Sequence, residues 1–428
     1  MSAAHRWGLA AAAAALAWGA TAGALARGAA PAAPKPRARE LGIPIGGTPG
    51  ALDAITDVAG VEVGHVTLVR GSGRLVRGTG PVRTGVTVIH PRGRADPEPV
   101  FGAWFALNGN GEMTGTTWLE ESGRLEGPVA ITNTHSVGVV RDAILQWQVG
   151  RPGSQPWGLP VVAETWDGAL NDIDGFHVTP AHVARALDSA HGGPVPEGNV
   201  GGGTGMICHQ FKGGIGTASR VLPAAQGGYT VGVLVQCNYG ARRDLRVAGA
   251  PVGEEIPDLL PCAASTAFAP PAWLGARPCG AAPAGGAGEG EEEQAAAAAG
   301  RDLGSIIVVV ATDAPLIPTQ LKRIATRVAL GIGRTGGYGG NSSGDIFVAF
   351  STAARGVAAD TGAATVRMLS NERITPLFRA TVQATEAAIV NALLAAETME
   401  GADGMRVSAL PHDRLLAALR KYNRLPAP

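Results

Sequence analysis

From Pro270 to Gly300 the chain is almost nothing but Ala, Gly and Pro, which make up 22 of these 31 residues. A few residues later it runs into Ile306-Ile307-Val308-Val309-Val310-Ala311, an unbroken apolar stretch. A low-complexity segment cannot bury enough apolar surface to order itself. A six-residue apolar run, five of it β-branched, is what a strand covered on both faces requires. Any fold of this chain must therefore start a central strand directly after a break. Residues 270–300 are expected to be a disordered linker on the surface, with Glu289, Glu291, Glu292 and Glu293 simply solvated.

The remainder has the material for a large core. Hydrophobic residues make up 45% of the 428 and charged residues 16%. Lys plus Arg equals Asp plus Glu at 35 each, so bulk charge offers no basis for binding nucleic acid. Glycine stands out at 63 residues, roughly twice its usual share. With no collagen period and no longer repeat, these glycines must serve turns and close backbone approaches.

The start reads as an export signal. A weakly basic opening, Met1 to Arg6, precedes an Ala- and Leu-rich run from Trp7 to about Gly23 and the small-x-small triplet Ala24-Leu25-Ala26. Residues 1–26 are expected to be a removable signal peptide and 27–40 a disordered Pro/Ala tether. The mature protein should lie in the periplasm or be secreted, free of the membrane. In an oxidising compartment Cys208, Cys237, Cys262 and Cys279 can pair in three ways. Cys262 with Cys279, flanking a Pro-rich loop, is the pair to test first, with free buried thiols as the alternative.

Short apolar runs alternate with glycine turns before the break: 85–89, 128–132 and 230–235 read as strands. Thr179-Pro180 opens a helix to about Ala190. Leu321, Ile324, Val328 and Ile332 make an amphipathic helix, and Thr375-Pro376 begins another to about Met399, with Phe378, Val382, Ile389 and Leu393 on one stripe. The mixture is α/β.

Several motifs fail on spacing. Gly198 to Gly205 lacks the Lys-Ser/Thr ending of a phosphate loop and does not complete a dinucleotide fingerprint, so it reads as a tight turn beside a site. Asp172-Ile173-Asp174-Gly175 echoes a calcium loop without its first and last ligands. Neither a metal nor any other cofactor is expected. Gly340-Asn341-Ser342-Ser343-Gly344 fits G-x-S-x-G, with His412 downstream. A nucleophile elbow, however, needs a strand before it and a helix after it, whereas here the strand-like 346–350 follows.

Ser305 is the stronger candidate nucleophile. A serine at a strand edge is the plain reading, but Gly304 before it permits the strained backbone that attack on the preceding carbonyl needs. The flexible segment upstream lets a cleaved end leave. After an N→O acyl shift and hydrolysis, Ser305 would carry a free α-amine of pKa about 7.7–8.0, a usable base at neutral pH.

Gly304-Ser305 through Asp313-Ala314-Pro315-Leu316 resembles the self-cleavage site of the DmpA/BapA family of N-terminal-serine aminopeptidases. Further blocks are similar to that family in order: Ile55 to His65, Asn133 to Gly138, Glu164-Thr165-Trp166-Asp167-Gly168 to Ile173, Gly198 to Arg220, Gln236-Cys237-Asn238-Tyr239-Gly240, and Asn341 to Ile346. The resemblance implies a four-layer αββα sandwich, a single domain made of two chains after self-cleavage. Residues 41–304 would be the first chain's portion of that domain and 305–428 the second chain's, in a homo-oligomer of such pairs. It implies release of N-terminal residues from short peptides, amino-acid amides or esters. By the same resemblance Ser305 is the nucleophile, Ser343 and Asp345 a hydrogen-bonded relay behind it, Asn238 the oxyanion donor and Glu164 the partner of the substrate ammonium. Trp166 stands where the family's characterised aminopeptidase has a tyrosine, which leaves it pocket lining with an N–H that can donate but not exchange a proton. Two other functions stay open: an acyltransferase of the ornithine acetyltransferase type, which uses threonine at the new N-terminus, and an uncleaved binding protein.

Overall fold

The apolar run after the break forms the centre of a sheet, and every residue from Ser305 to Thr312 is buried. The structure is a computed structural model that describes residues 35–153, 157–264, 274–280, 304–356 and 362–426. In chain order the strands begin with β1 (Glu62–Arg70), β2 (Val82–His90), β3 (Val100–Ala106), β4 (Arg124–Leu125), β5 (Val129–Asn133) and β6 (Val161–Thr165). Then come the short β7 (Ile207–Cys208) and β8 (Phe211–Lys212), followed by β9 (Gly214–Val221) and β10 (Thr230–Asn238). After these lie β11 (Cys262–Ala263), β12 (Arg277–Pro278), β13 (Gly304–Thr312) and β14 (Ser343–Ser351). The helices are α1 (Thr116–Ser122), α2 (Val137–Gln148), α3 (Pro180–Ser189), α4 (Val252–Glu255), α5 (Pro318–Arg334), α6 (Thr375–Ala395) and α7 (His412–Lys421).

Two sheets carry the architecture, one ordered β1-β2-β5-β6 and the other β4-β3-β14-β13-β10-β9. Alternation along each strand sends successive side chains to opposite faces, and three apolar layers result. Val86, Val88 and Val162 meet Val140, Ile144, Val183 and Leu187 of α2 and α3. Ile131 and Ala163 of the first sheet meet Ile307, Val309 and Val348 of the second. Val308 and Phe347 meet Leu321, Val328, Ile389 and Leu393 of α5 and α6. Each fully buried Val, Leu, Ile or Phe stabilises the fold by about 1.5–3 kcal/mol. Helix, sheet, sheet, helix is the αββα order that the family resemblance implied.

Helix α6 buries Ile389 and Leu393 of its expected stripe but departs from it in its first half. Phe378 and Val382 are only half-buried, while Leu377, Ala380 and Ala384 are buried and nearly every residue beyond is covered. Its alanines let it lie directly on β9, where a side chain at Gly216 would stand 2.0 Å from the Ala388 carbonyl oxygen. The helix also stops at Ala395 rather than near Met399. Lys35 Nζ donates to the Ala396 carbonyl, and Asn199 exchanges side-chain hydrogen bonds with the Glu397 backbone.

Two expected loose segments are partly docked. Residues 1–26, the expected signal, and 27–34 of the tether lie outside the described residues. Within 35–40 the tether reading is corrected: Ala38 is buried, its N–H donates to Asn391 Oδ1 at 2.9 Å, and Arg37 pairs with Glu197 at 2.8 Å. A partly buried ion pair and long-range hydrogen bonds order this stretch despite its composition. Of the 270–300 linker, residues 274–280 are described, and they too are docked. Leu274 is fully buried, β12 pairs with β11, and Cys279 is bonded to Cys262. The second disulfide joins Cys208 to Cys237.

Candidate active site

Register brings Asn238, Gly304, Ser305, Ser343 and Asp345 to one end of the second sheet, whereas Glu164 and Trp166 come from β6 of the first sheet and the residue after it. β13 pairs antiparallel with β10, placing Asn238 opposite Ser305. It pairs parallel with β14, placing Gly304 opposite Ser343 and Ser305 opposite Gly344. Gly304 has φ +131°, and a methyl there would sit 2.1 Å from the Asn238 carbonyl oxygen, so only glycine fits before this serine. Ser305 follows the Ile307, Val309 and Ala311 side of the strand and so faces the space between the sheets.

That space opens as a cavity of about 480 Å³ lined by Ser305, Gly304, Asn238, Glu164, Trp166 and Thr134, with Ser342 and the loop 110–112 on its wall. The volume lies in the range of small-molecule sites. A larger cavity of about 610 Å³ lies elsewhere, around His90 to Glu98 and Trp147, and holds none of these groups.

Asn238 is held in one orientation. Its Oδ1 accepts from the Ile207 N–H at 2.7 Å, and its Nδ2 donates to the Trp166 carbonyl at 3.0 Å. An amide nitrogen carries two hydrogens, so one remains to meet an oxygen bearing developing charge. Glu164 is the last residue but one of β6 and is 3% exposed. It accepts from the Glu112 backbone N–H at 2.9 Å and from the Thr134 hydroxyl. Burial raises its pKa above the ordinary glutamate value, against those two hydrogen bonds. Nearby Asp167 is fully buried and is pushed up to about 6 by the same cause.

Ser343 and Asp345 lie apart from the cavity wall. Both are buried, and Ser343 Oγ donates to Asp345 Oδ1 at 2.7 Å. They share the face of β14 with Phe347 and Ala349, towards α5 and α6. They thus stand beside the Gly304 end of β13 rather than in front of the Ser305 side chain. Ser342 leads into β14, the reverse of a nucleophile elbow, and its carbonyl accepts from Asn110 Nδ2 at 2.7 Å. His412 is bonded to the Leu394 carbonyl instead.

The loop after β3 was missed from sequence. Asn108 Oδ1 accepts from the Asp345 N–H at 2.8 Å and its Nδ2 donates to the Gly340 carbonyl at 3.0 Å. The Asn110 N–H reaches the Ser343 carbonyl at 3.3 Å. Leu107-Asn108-Gly109-Asn110-Gly111 reads as a turn-forming stretch, but nothing local shows that it clamps residues more than 230 positions away.

Comparison with known proteins identifies the family. The model of peptidase family S58 matches residues 53–407. The β-peptidyl aminopeptidase BapA of Sphingosinicella microcystinivorans is 55% identical over 410 residues, covering 95% of this chain and 97% of that one. Its namesake from Sphingosinicella xenopeptidilytica is 47% identical, covering 90% and 91%. Among solved structures, the L-aminopeptidase D-Ala-esterase/amidase of Ochrobactrum anthropi, a serine aminopeptidase with a variant of the Ntn-hydrolase fold, superposes with a TM-score of 0.77 at 45% identity. That match covers 92% of this chain and 100% of the other. With a family match over most of its length and relatives this similar, the chain belongs to peptidase family S58 and is a hydrolase, a serine aminopeptidase.

Proposed function

We propose that this chain is an exported aminopeptidase that cuts itself between Gly304 and Ser305 and then uses Ser305 as an N-terminal nucleophile. In the self-cleavage, Ser305 Oγ bonds to the Gly304 carbonyl carbon, the Gly304–Ser305 C–N bond breaks, and the nitrogen gains a proton to become the α-amine. Water then hydrolyses the resulting ester, leaving a carboxylate on Gly304. The observation that carries this reading is the placement of Ser305 in one cavity with Asn238 and Glu164, directly after a glycine whose positive φ no other residue would hold at that distance from Asn238.

In turnover, Glu164 takes the ammonium of the substrate's first residue, as a buried carboxylate suits. Ser305 Oγ attacks the carbonyl and its own α-amine receives the proton. Asn238 Nδ2 donates to the oxyanion, a contribution of roughly 2.7–4 kcal/mol where such a donor has been removed. The amine returns its proton to the leaving nitrogen, and water releases the acyl group. Ser343 and Asp345, beside the Gly304 end of the strand, stabilise positive charge on the new amine. Substrates are short peptides and amino-acid amides or esters. The names of the two Sphingosinicella relatives add β-amino residues to this substrate class. Two disulfides support an oxidising compartment, periplasmic or external. Assembly as a homo-oligomer of processed pairs follows the family resemblance.

Denaturing electrophoresis with N-terminal sequencing tests the proposal. Two bands are expected, the smaller beginning at Ser305, and Ser305→Ala should remain one uncut, inactive chain. An intact single band that still hydrolyses aminoacyl-p-nitroanilides would overturn it.

A further inference from the structure

Lys212 is buried without a hydrogen-bonded carboxylate. It is 0% exposed, and its Nζ donates to three backbone carbonyls, those of Met206 at 2.8 Å, Gly213 at 2.9 Å and Gly203 at 3.2 Å. All three ammonium hydrogens are thereby used. Burial lowers its pKa well below that of an ordinary lysine, and Asp167 opposes this through its charge. Taking such a group out of water is costly, and an apolar side chain would fill the space more cheaply. What the ammonium touches therefore matters.

The Met206 carbonyl and the Ile207 N–H belong to the same peptide group. That N–H is the donor, at 2.7 Å, to Asn238 Oδ1. A cation on the carbonyl oxygen polarises the peptide and strengthens its N–H as a donor, as along any hydrogen-bonded chain in a low-dielectric interior. Holding Oδ1 in this way turns Nδ2 towards the cavity.

The surroundings over-determine the arrangement. β7 and β8 form a hairpin with Ile207 opposite Lys212. Its two turn residues, His209 and Gln210, both have positive φ, 50° and 57°, a conformation that usually calls for Asn-Gly. Strain of this kind persists only where neighbours enforce it. Here buried Arg242 donates to both turn carbonyls, at 3.0 and 2.6 Å. The Cys208–Cys237 bond ties the hairpin to β10 one residue before Asn238.

We propose that Lys212 is a positioning residue for the reaction, acting through the Met206–Ile207 peptide to hold the Asn238 amide in its donating orientation. The proposal rests on Asn238 being the oxyanion donor. Lys212→Met keeps the volume of the stem and removes the charge and its hydrogen bonds. With an aminoacyl-p-nitroanilide, kcat per processed chain should fall about 10- to 100-fold, with KM changed less than about twofold. Lys212→Met combined with Asn238→Ala should be no slower than Asn238→Ala alone, because the two act as one unit. An unchanged kcat in Lys212→Met beside a large fall in Asn238→Ala overturns the proposal and leaves the role of Asn238 standing, as do multiplying losses in the double variant. An unchanged kcat in Asn238→Ala overturns the underlying role. Should Lys212→Met not fold, Lys212→Gln, which keeps two N–H donors, is read by the same criteria. Failure of both to fold would make Lys212 a folding residue and overturn the proposal.

Discussion

Ser343 Oγ donates to Asp345 Oδ1 across 2.7 Å, two residues along one strand and so on one face of it. The pair sits at the Gly304 end of β13, where self-cleavage would expose a new amine. On the proposed mechanism, a carboxylate held there through a hydroxyl would stabilise that amine when it takes up the proton of Ser305. Asp345→Asn should keep the fold and lower kcat by roughly 10²-fold, the lower end of what a positioned proton-transfer group contributes. Steady-state kinetics on processed protein, with circular dichroism to confirm folding, would show whether it does. Activity at the native level would remove the pair from the mechanism.

Glu164 should set an acid limit to activity. Only its ionised form attracts an ammonium, and burial raises its pKa. Falling pH therefore protonates it earlier than an ordinary glutamate, and kcat/KM should decline through that raised value. Glu164→Gln should abolish this limb and raise KM about 10- to 100-fold, the equivalent of a lost charge-assisted hydrogen bond. A pH profile of both proteins decides. Persistence of the limb in Glu164→Gln would move it to another group, either the Ser305 α-amine that the proposed mechanism uses as base or Asp167, at about 6.

Gly304→Ala places a methyl 2.1 Å from the Asn238 carbonyl oxygen in a chain whose φ is +131°. The two strands must part for it to fit, and Ser305 then loses its alignment with the carbonyl it attacks. Self-cleavage should slow at least about 10²-fold, seen as a persistent full-length band over a time course of purified precursor. Processing at the native rate would show that the close approach is not needed for cleavage.

Asn108 has a role that only partners distant in the chain define. Asn108→Ala removes the acceptor of the Asp345 N–H and the donor to the Gly340 carbonyl. Losing such bonds in a part-buried site costs about 1–3 kcal/mol. Urea unfolding should show that loss, and kcat should fall with it because Asp345 is no longer fixed. A fall in stability with kcat intact would limit Asn108 to the fold.

How much of this was legible in the sequence depended on distance along the chain. The apolar run 306–311 announced a strand covered on both faces because that property is carried by the residues themselves. Helix α5 was readable from a local spacing, and the Gly304-Ser305 step from the break before it. Helix α6 shows the limit of such reading. Its alanines fit either face equally, and the choice fell to β9, where Gly216 lets the helix lie against the sheet.

The docked segments 35–40 and 274–280 were misread for a related reason. Composition measures how much a stretch can bury by itself. Arg37 is ordered by Glu197, and Cys279 by Cys262. Glu197 could not be identified from the segment alone; the Cys262–Cys279 pair was the first to test, and the structure forms it.

The sequence by itself determined the α/β alternation, the break, and the glycine–serine step at the head of a buried strand, because turn chemistry and apolar periodicity act over a few residues. Only the tertiary structure decided that Asn238 pairs opposite Ser305, that Ser343 and Asp345 stand beside Gly304, that Asn108 bonds the Asp345 backbone, and that Lys212 bonds the Met206 carbonyl, whose peptide N–H meets Asn238. Those relations follow from strand register and from the directions of backbone carbonyls, which join residues far apart in the chain.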